Sequence, residues 1–143
     1  MVYLAQTDTT VGFLSLDDKK LAKIKGRDPK QKTLQVVDSL KSLTNIIRIP
    51  IKRKKQIRRS KKTTYIYPNG LSFRVVEKDH IHNNLIKKFS CIYSTSANKT
   101  KENFDVKFAF NSVNIILYTK DRFYQTQSSS IYKINKTKIK RIR

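Results

Sequence analysis

The alternation of apolar and polar positions divides the chain into short elements. Val2-Tyr3-Leu4-Ala5 is apolar and predicts an opening strand. Asp17-Asp18 sits where a helix N-cap belongs, with Leu21 and Ile24 following at helical spacing and Gly26 ending the helix. Leu34 to Val37 is β-prone, and Asp38-Ser39 can cap a short helix through Leu43. Lys52 to Lys62 predicts a helix with Ile51 and Ile57 as its few apolar contacts. Thr63 to Tyr67 is rich in β-branched and aromatic residues, Pro68-Asn69-Gly70 is a turn, and Leu71 to Val76 returns, so this pair predicts a hairpin. His80 to Phe89 places Ile81, Leu85, Ile86 and Phe89 on one helical face, and Cys91-Ile92-Tyr93 is a strand leading into a small, polar loop. Asp105 to Phe110 predicts a helix; Asn114 to Tyr118 and Ile131 to Ile134 predict strands, and the lysine-rich tail an edge strand. Helices scattered among strands with one hairpin imply a mixed α/β sheet.

Length adds that 143 residues make one domain, 1–143. Charge changes the picture more. Lys and Arg total 32 against 10 Asp and Glu, a net charge of +22. No carboxylate lies between Asp38 and Glu77, and Arg48 to Lys62 holds nine basic residues in fifteen. A second acid-free stretch, Lys133 to Arg143, carries six in eleven. Such a field attracts polyanions, nucleic acid above all, although a solvated lysine-rich surface has the same composition. No apolar run approaches the ~20 residues of a membrane span, so no membrane partner is expected. The lone Cys91 excludes an internal disulfide, and a cytoplasmic location is the expectation.

Three clusters bear chemistry. Thr7-Asp8-Thr9-Thr10 precedes Val11-Gly12 and offers hydroxyls and a carboxylate, which turn and cap chemistry explains equally well. Lys25-Gly26-Arg27 lets the backbone turn so that two cations reach one anion. Ser94-Thr95-Ser96-Ala97-Asn98 follows a strand, the usual position of a ligand loop in an α/β sheet. His80 and His82 stand apart from all three and are read as surface residues.

Taken together, the order of these clusters resembles the YrdC-type threonylcarbamoyl-AMP synthase family, whose signature is Lys-x-Arg followed far downstream by Ser-x-Asn. Here these are Lys25-Gly26-Arg27 and Ser96-Ala97-Asn98. Leu4 to Gly12 looks like the family's strand leading to Pro-Thr-Asp/Glu-Thr, with Gln6 in place of the proline; Ser128-Ser129-Ser130-Ile131 looks like its closing element. The resemblance implies a YrdC-like twisted mixed sheet with flanking helices and a basic concave pocket. It implies a nucleotidyltransferase that forms threonylcarbamoyl-AMP and pyrophosphate from L-threonine, bicarbonate and ATP for tRNA modification, with a threonylcarbamoyl transferase complex as partner. Thr7, Arg74, Ser96 and Ser130 would hold threonine, and Lys25, Arg27, Ser94 and Asn98 would hold ATP, whose phosphates bring Mg²⁺. Arg74 also stands out by itself, because it alternates with Phe73 and Val75 and so projects from the opposite sheet face. The alternative is a non-catalytic module of the same fold that binds double-stranded RNA, tRNA or rRNA through its positive charge.

Overall fold

The computed structural model describes residues 1–143. Nine strands form one mixed sheet: β1 (Val2–Gln6), β2 (Val11–Ser15), β3 (Gln35–Val37), β4 (Thr63–Ile66), β5 (Ser72–Val75), β6 (Cys91–Ser96), β7 (Ile115–Leu117), β8 (Ser130–Ile134) and β9 (Ile139–Arg141). Their order is β7-β1-β2-β6-β3-β5-β4-β8-β9. Five helices accompany it: α1 (Asp18–Lys25), α2 (Leu40–Thr44), α3 (Lys54–Arg59), α4 (Ile81–Ile86) and α5 (Val106–Asn111). No helix is long and apolar enough to cross a membrane.

Local chemistry accounts for most boundaries. The Asp17 side chain accepts from Lys19 N at 3.0 Å and caps α1. Lys23 and Lys25 in its last turn complement the helix dipole. Gly26, at φ 63°, ends it in the left-handed conformation, and Arg27 N donates back to Ala22 O at 3.1 Å. Ser39 caps α2 by accepting from Ser42 N. The basic run begins with a single 3₁₀ turn, Ile51–Arg53, before α3. Pro68-Asn69-Gly70 joins β4 and β5 as the expected hairpin, with Gly70 at φ 80°. The strand β2 was not foreseen: Val11 to Ser15 is buried throughout and shows no alternation to read.

The register separates two faces. Leu14 pairs with Ser94, and Val36 pairs with both Ile92 and Arg74, so these five share a face. There Ala5, Leu14, Val36, Val76, Ile86 and Ile92 form a core under α4. On the other face α2 and α3 pack Leu40, Leu43 and Ile57 against Val37, Tyr65, Phe73 and Ile134. Further along it, α1 and α5 pack Leu21 and Ala109 against Leu4, Val11 and Phe13. Each fully buried Leu, Ile or Phe contributes roughly 1.5–3 kcal/mol. His82, expected on the surface, is buried at 3% exposure, because the first turn of α4 packs onto the sheet.

Candidate functional site

A cavity of about 370 Å³ opens on the Arg74 face, at the amino ends of β3 and β5. That volume suits a small-molecule site. Thr7, Arg27, Arg74, Ser94 and Ser96 all line it, arriving from the β1–β2 turn, the end of α1, β5 and β6. Its cations are Arg27, Lys32, Arg74 and Arg143, and no carboxylate lines it. Positive charge facing hydroxyls in a partly enclosed space has the chemistry to hold an anion.

Thr7 closes its own turn. Its hydroxyl donates to Thr10 O at 2.6 Å and accepts from the amides of Thr9 and Thr10 at 3.2 Å. The turn delivers Thr9 and Thr10 to the cavity as well. Gly12 sits beneath it, where a Cβ would lie 2.9 Å from Thr7 Cγ2 and 3.0 Å from Thr95 O, so only glycine permits this approach. Arg74 is 4% exposed and lies 3.0 Å from Asp8 Oδ1, with the Asp8 side chain only 2% exposed. The ion pair departs from hydrogen-bond alignment, and Arg74 Nε and both Asp8 oxygens have no hydrogen-bond partner. Burial pushes Arg74 below its ordinary pKa, and the Asp8 carboxylate opposes the shift. His82 lies near enough to feel both charges. Burial, opposed by Asp8, lowers it to about 4, so it is neutral at pH 7.

Lys25 and Asn98 meet just beyond the cavity lining. Lys25 Nζ donates to Asn98 O at 2.6 Å, Ser96 O at 3.0 Å, Asn98 Oδ1 at 3.1 Å and Ser96 Oγ at 3.2 Å. Burial, with the Arg27 charge second, lowers Lys25 to about 8. The Asn98 amide donates to Glu102 O. Residues 71 and 73 positions apart are thereby tied into one rim, with Ser96 belonging to both rim and cavity. Arg27 reaches in after the Gly26 cap. It donates to Thr33 Oγ1 at 2.5 Å, and Thr33 in turn donates to Asp18.

Ser130 does not line the cavity. Thr64 pairs with Ile131 and Thr63 with Ser130, so alternation turns Ser130 to the other face and presents Ser129 and Ile131. Ser129 is buried and shares a 2.9 Å hydrogen bond with Thr64. Arg143, absent from the sequence reading, donates through Nε and Nη2 to Ser129 O at 3.1 and 3.0 Å and adds a cation to the wall. Its placement depends on β9 folding back on β8, a tertiary event with no local sequence signal.

No family model and no curated protein sequence matches the chain. Solved structures do. P. abyssi Sua5 complexed with L-threonine superposes at a TM-score of 0.79 with 15% identity, covering 99% of this chain and 49% of that one. The fold is YrdC-like. The solution structure of MTH1692 from Methanobacterium thermoautotrophicum agrees at 0.67 with 18% identity, covering 92% of this chain and 74% of that one. Full-length HypF, in a phosphate- and nucleotide-bound form, matches at 0.74 with 15% identity over 99% of this chain and 26% of its own. The chain therefore spans about half of the Sua5 chain and three quarters of MTH1692. The expected YrdC-like mixed sheet is borne out.

Proposed function

We propose that this YrdC-like domain condenses L-threonine, bicarbonate and ATP into threonylcarbamoyl-AMP and pyrophosphate. The observation that carries the reading is the convergence of Thr7, Arg27, Arg74, Ser94 and Ser96 on one cation-lined cavity, from positions spread over 90 residues of chain. The Sua5 structure holding L-threonine and the HypF structure holding phosphate and nucleotide lend support from the same fold.

The chemistry joins two anions. The threonine amine adds to the carbon of carbon dioxide, which bicarbonate supplies by losing water; the proton that the amine gives up balances the one bicarbonate takes up, and an oxygen of the resulting carbamate attacks the α-phosphorus of ATP. The bond from that phosphorus to the β-phosphate oxygen breaks, and its electron pair leaves with pyrophosphate. Positioning and fixed positive charge supply most of what this step needs. Arg27, Lys32 and Arg143 place cations where phosphate charge accumulates, and Lys25 with Asn98 fixes the Ser96 rim. Arg74, braced by Asp8, takes the threonine carboxylate beside the hydroxyls of Thr9, Thr10 and Ser96. No group of three His, Cys, Asp or Glu side chains is present, and the lining is free of carboxylates. This donor set fits Mg²⁺ that arrives with ATP, held by its phosphates and water.

Pyrophosphate release by the purified chain tests the reading. Release that requires both L-threonine and bicarbonate is expected. Release independent of threonine, or none, overturns it.

A further inference from the structure

The two edges of the sheet differ in chemistry. On one side the last strand is β9, where Lys138, Lys140 and Arg141 are all exposed. Charged side chains on an edge strand discourage pairing with another chain. On the other side the last strand is β7, which pairs with β1 alone. It has no such guard, because no charged residue occurs from Phe108 to Thr119. Ile115, Ile116 and Leu117 are half-buried, and Tyr118 beside them is 72% exposed.

The register shows what the outer side of β7 offers. Val2 N donates to Asn114 Oδ1 at 2.8 Å, and Val2 O accepts from Asn114 N at 2.9 Å, so the backbone polar groups of Val2 face β7. Alternation along β1 turns those of Leu4 the same way. Leu4 lies opposite Ile116, and in a parallel ladder its groups reach the residues on either side, Ile115 and Leu117. Ile116 therefore directs its own N–H and C=O outward, at the centre of a short, uncharged and apolar edge.

We propose that β7 pairs with β7 of a second copy of this chain, antiparallel about a two-fold axis at Ile116, independently of the reaction proposed above. One outward N–H and one outward C=O on the same residue are self-complementary: about that axis, Ile116 and its counterpart exchange both hydrogen bonds. The same pairing sets Asn114 opposite Tyr118 of the second copy, which covers the exposed ring. Charge favours this edge over any other place of contact between two copies that each carry +22. The basic stretches Arg48 to Lys62 and Lys133 to Arg143 adjoin or form β4, β8 and β9, at the opposite end of the strand order from β7. Joined through β7, the two copies hold those regions at the outer ends of one continuous sheet, where their repulsion is weakest. An acidic partner, by contrast, gains nothing from an edge that carries no charge.

The test is sedimentation equilibrium at about 150 mM salt, where exposed charges are screened beyond ~8 Å. The parent chain is expected to approach a dimer as its concentration rises from micromolar to submillimolar, with no larger species. Ile116→Lys and Ile116→Glu each set like charges directly opposite one another at the axis, and each alone should dimerise about tenfold or more weakly. Mixed in equal amounts, the two variants should dimerise again, because opposite charges then meet at the axis. Urea unfolding establishes that both variants fold. Hydrogen exchange on the parent needs no substitution: the Ile116 amide should exchange more slowly at high protein concentration than at low, while the amides of β9 stay unchanged. A parent that remains monomeric, assembly beyond a dimer, variants that dimerise as the parent does, or folded variants whose mixture stays monomeric would each overturn the proposal. If either variant fails to fold, the Ile116 amide decides, and exchange independent of concentration overturns the proposal.

Discussion

The Asp8–Arg74 pair offers the sharpest quantitative test. Arg74 is 4% exposed, the Asp8 side chain is 2% exposed, and neither Asp8 oxygen has a hydrogen-bond donor. Replacing Arg74 with methionine keeps most of the side-chain volume but leaves a buried carboxylate without its counter-charge. Breaking such a pair from one side costs about 3–5 kcal/mol. For a chain of this length that corresponds to a fall in melting temperature of roughly 10–15 °C. Asp8→Asn alone leaves the guanidinium unpaired and should cost a similar amount. The double variant carries neither charge, so its loss should be smaller than the sum of the two single losses by about 2 kcal/mol or more. Urea unfolding of the four proteins at neutral pH, followed by circular dichroism and linear extrapolation, completes the cycle. Additivity to within about 0.5 kcal/mol would refute the reasoning. The pair would then be a neighbourhood of two solvated charges, and Asp8 could not be what braces Arg74 over the proposed threonine site. If the coupling is found, the KM for threonine should rise in Asp8→Asn, because the guanidinium loses its support while its charge remains.

Other outcomes follow from the same geometry. Arg27→Ala should weaken ATP binding about ten- to a hundredfold, as loss of a charge-assisted phosphate contact does, with little change in urea midpoint; isothermal titration with ATP checks the first and urea unfolding the second. His82 is held near 4 when folded, below its ordinary 6.5, so the unfolded chain binds the extra proton first. Stability should therefore fall by about 3 kcal/mol as pH drops from 6.5 through 4, and His82→Gln should flatten that slope in acid titrations of unfolding. Gly12→Ala places a methyl group against Thr7 Cγ2 and the Thr95 carbonyl; it should cost about 1–3 kcal/mol and impair threonine binding, seen by thermal shift with and without threonine. Gly26→Ala meets no atom within 4 Å but must hold φ 63°, so it should cost about 1 kcal/mol through backbone strain alone, measured by urea unfolding.

What could be read in advance, and what could not, divides along the range of the interactions. Asp17, Ser39 and Gly26 satisfy or release backbone groups within a turn of themselves, so the ends of α1 and α2 were legible from single residues. The Pro68-Asn69-Gly70 hairpin is equally local. Ser130 fails by a single step: Ser128, Ser129 and Ser130 are alike in sequence, and only pairing with β4 decides which one faces the cavity. His82 lies one residue after the solvent-facing Ile81, and nothing in its neighbours reveals that the sheet covers it. Lys25 read as a cation that reaches an anion together with Arg27, yet its partners in the structure lie 71 and 73 residues downstream. The basic run reads as one block, whereas the folded chain brings Lys54, Arg58, Arg59 and Lys61 beside Lys41 of α2 and the Lys78 and Lys87 that flank α4. These misses share a cause, because each depends on a contact between segments distant in sequence. The same contacts separate two uses of positive charge. Cations tied down by Asp8, Thr33, Ser96, Asn98 and the Ser129 carbonyl surround the cavity, where a small ligand needs fixed geometry. Lys54, Arg58 and Arg59 lie outside the cavity lining, exposed and held by no partner in the chain, so their side chains keep the freedom that the cavity's cations have lost.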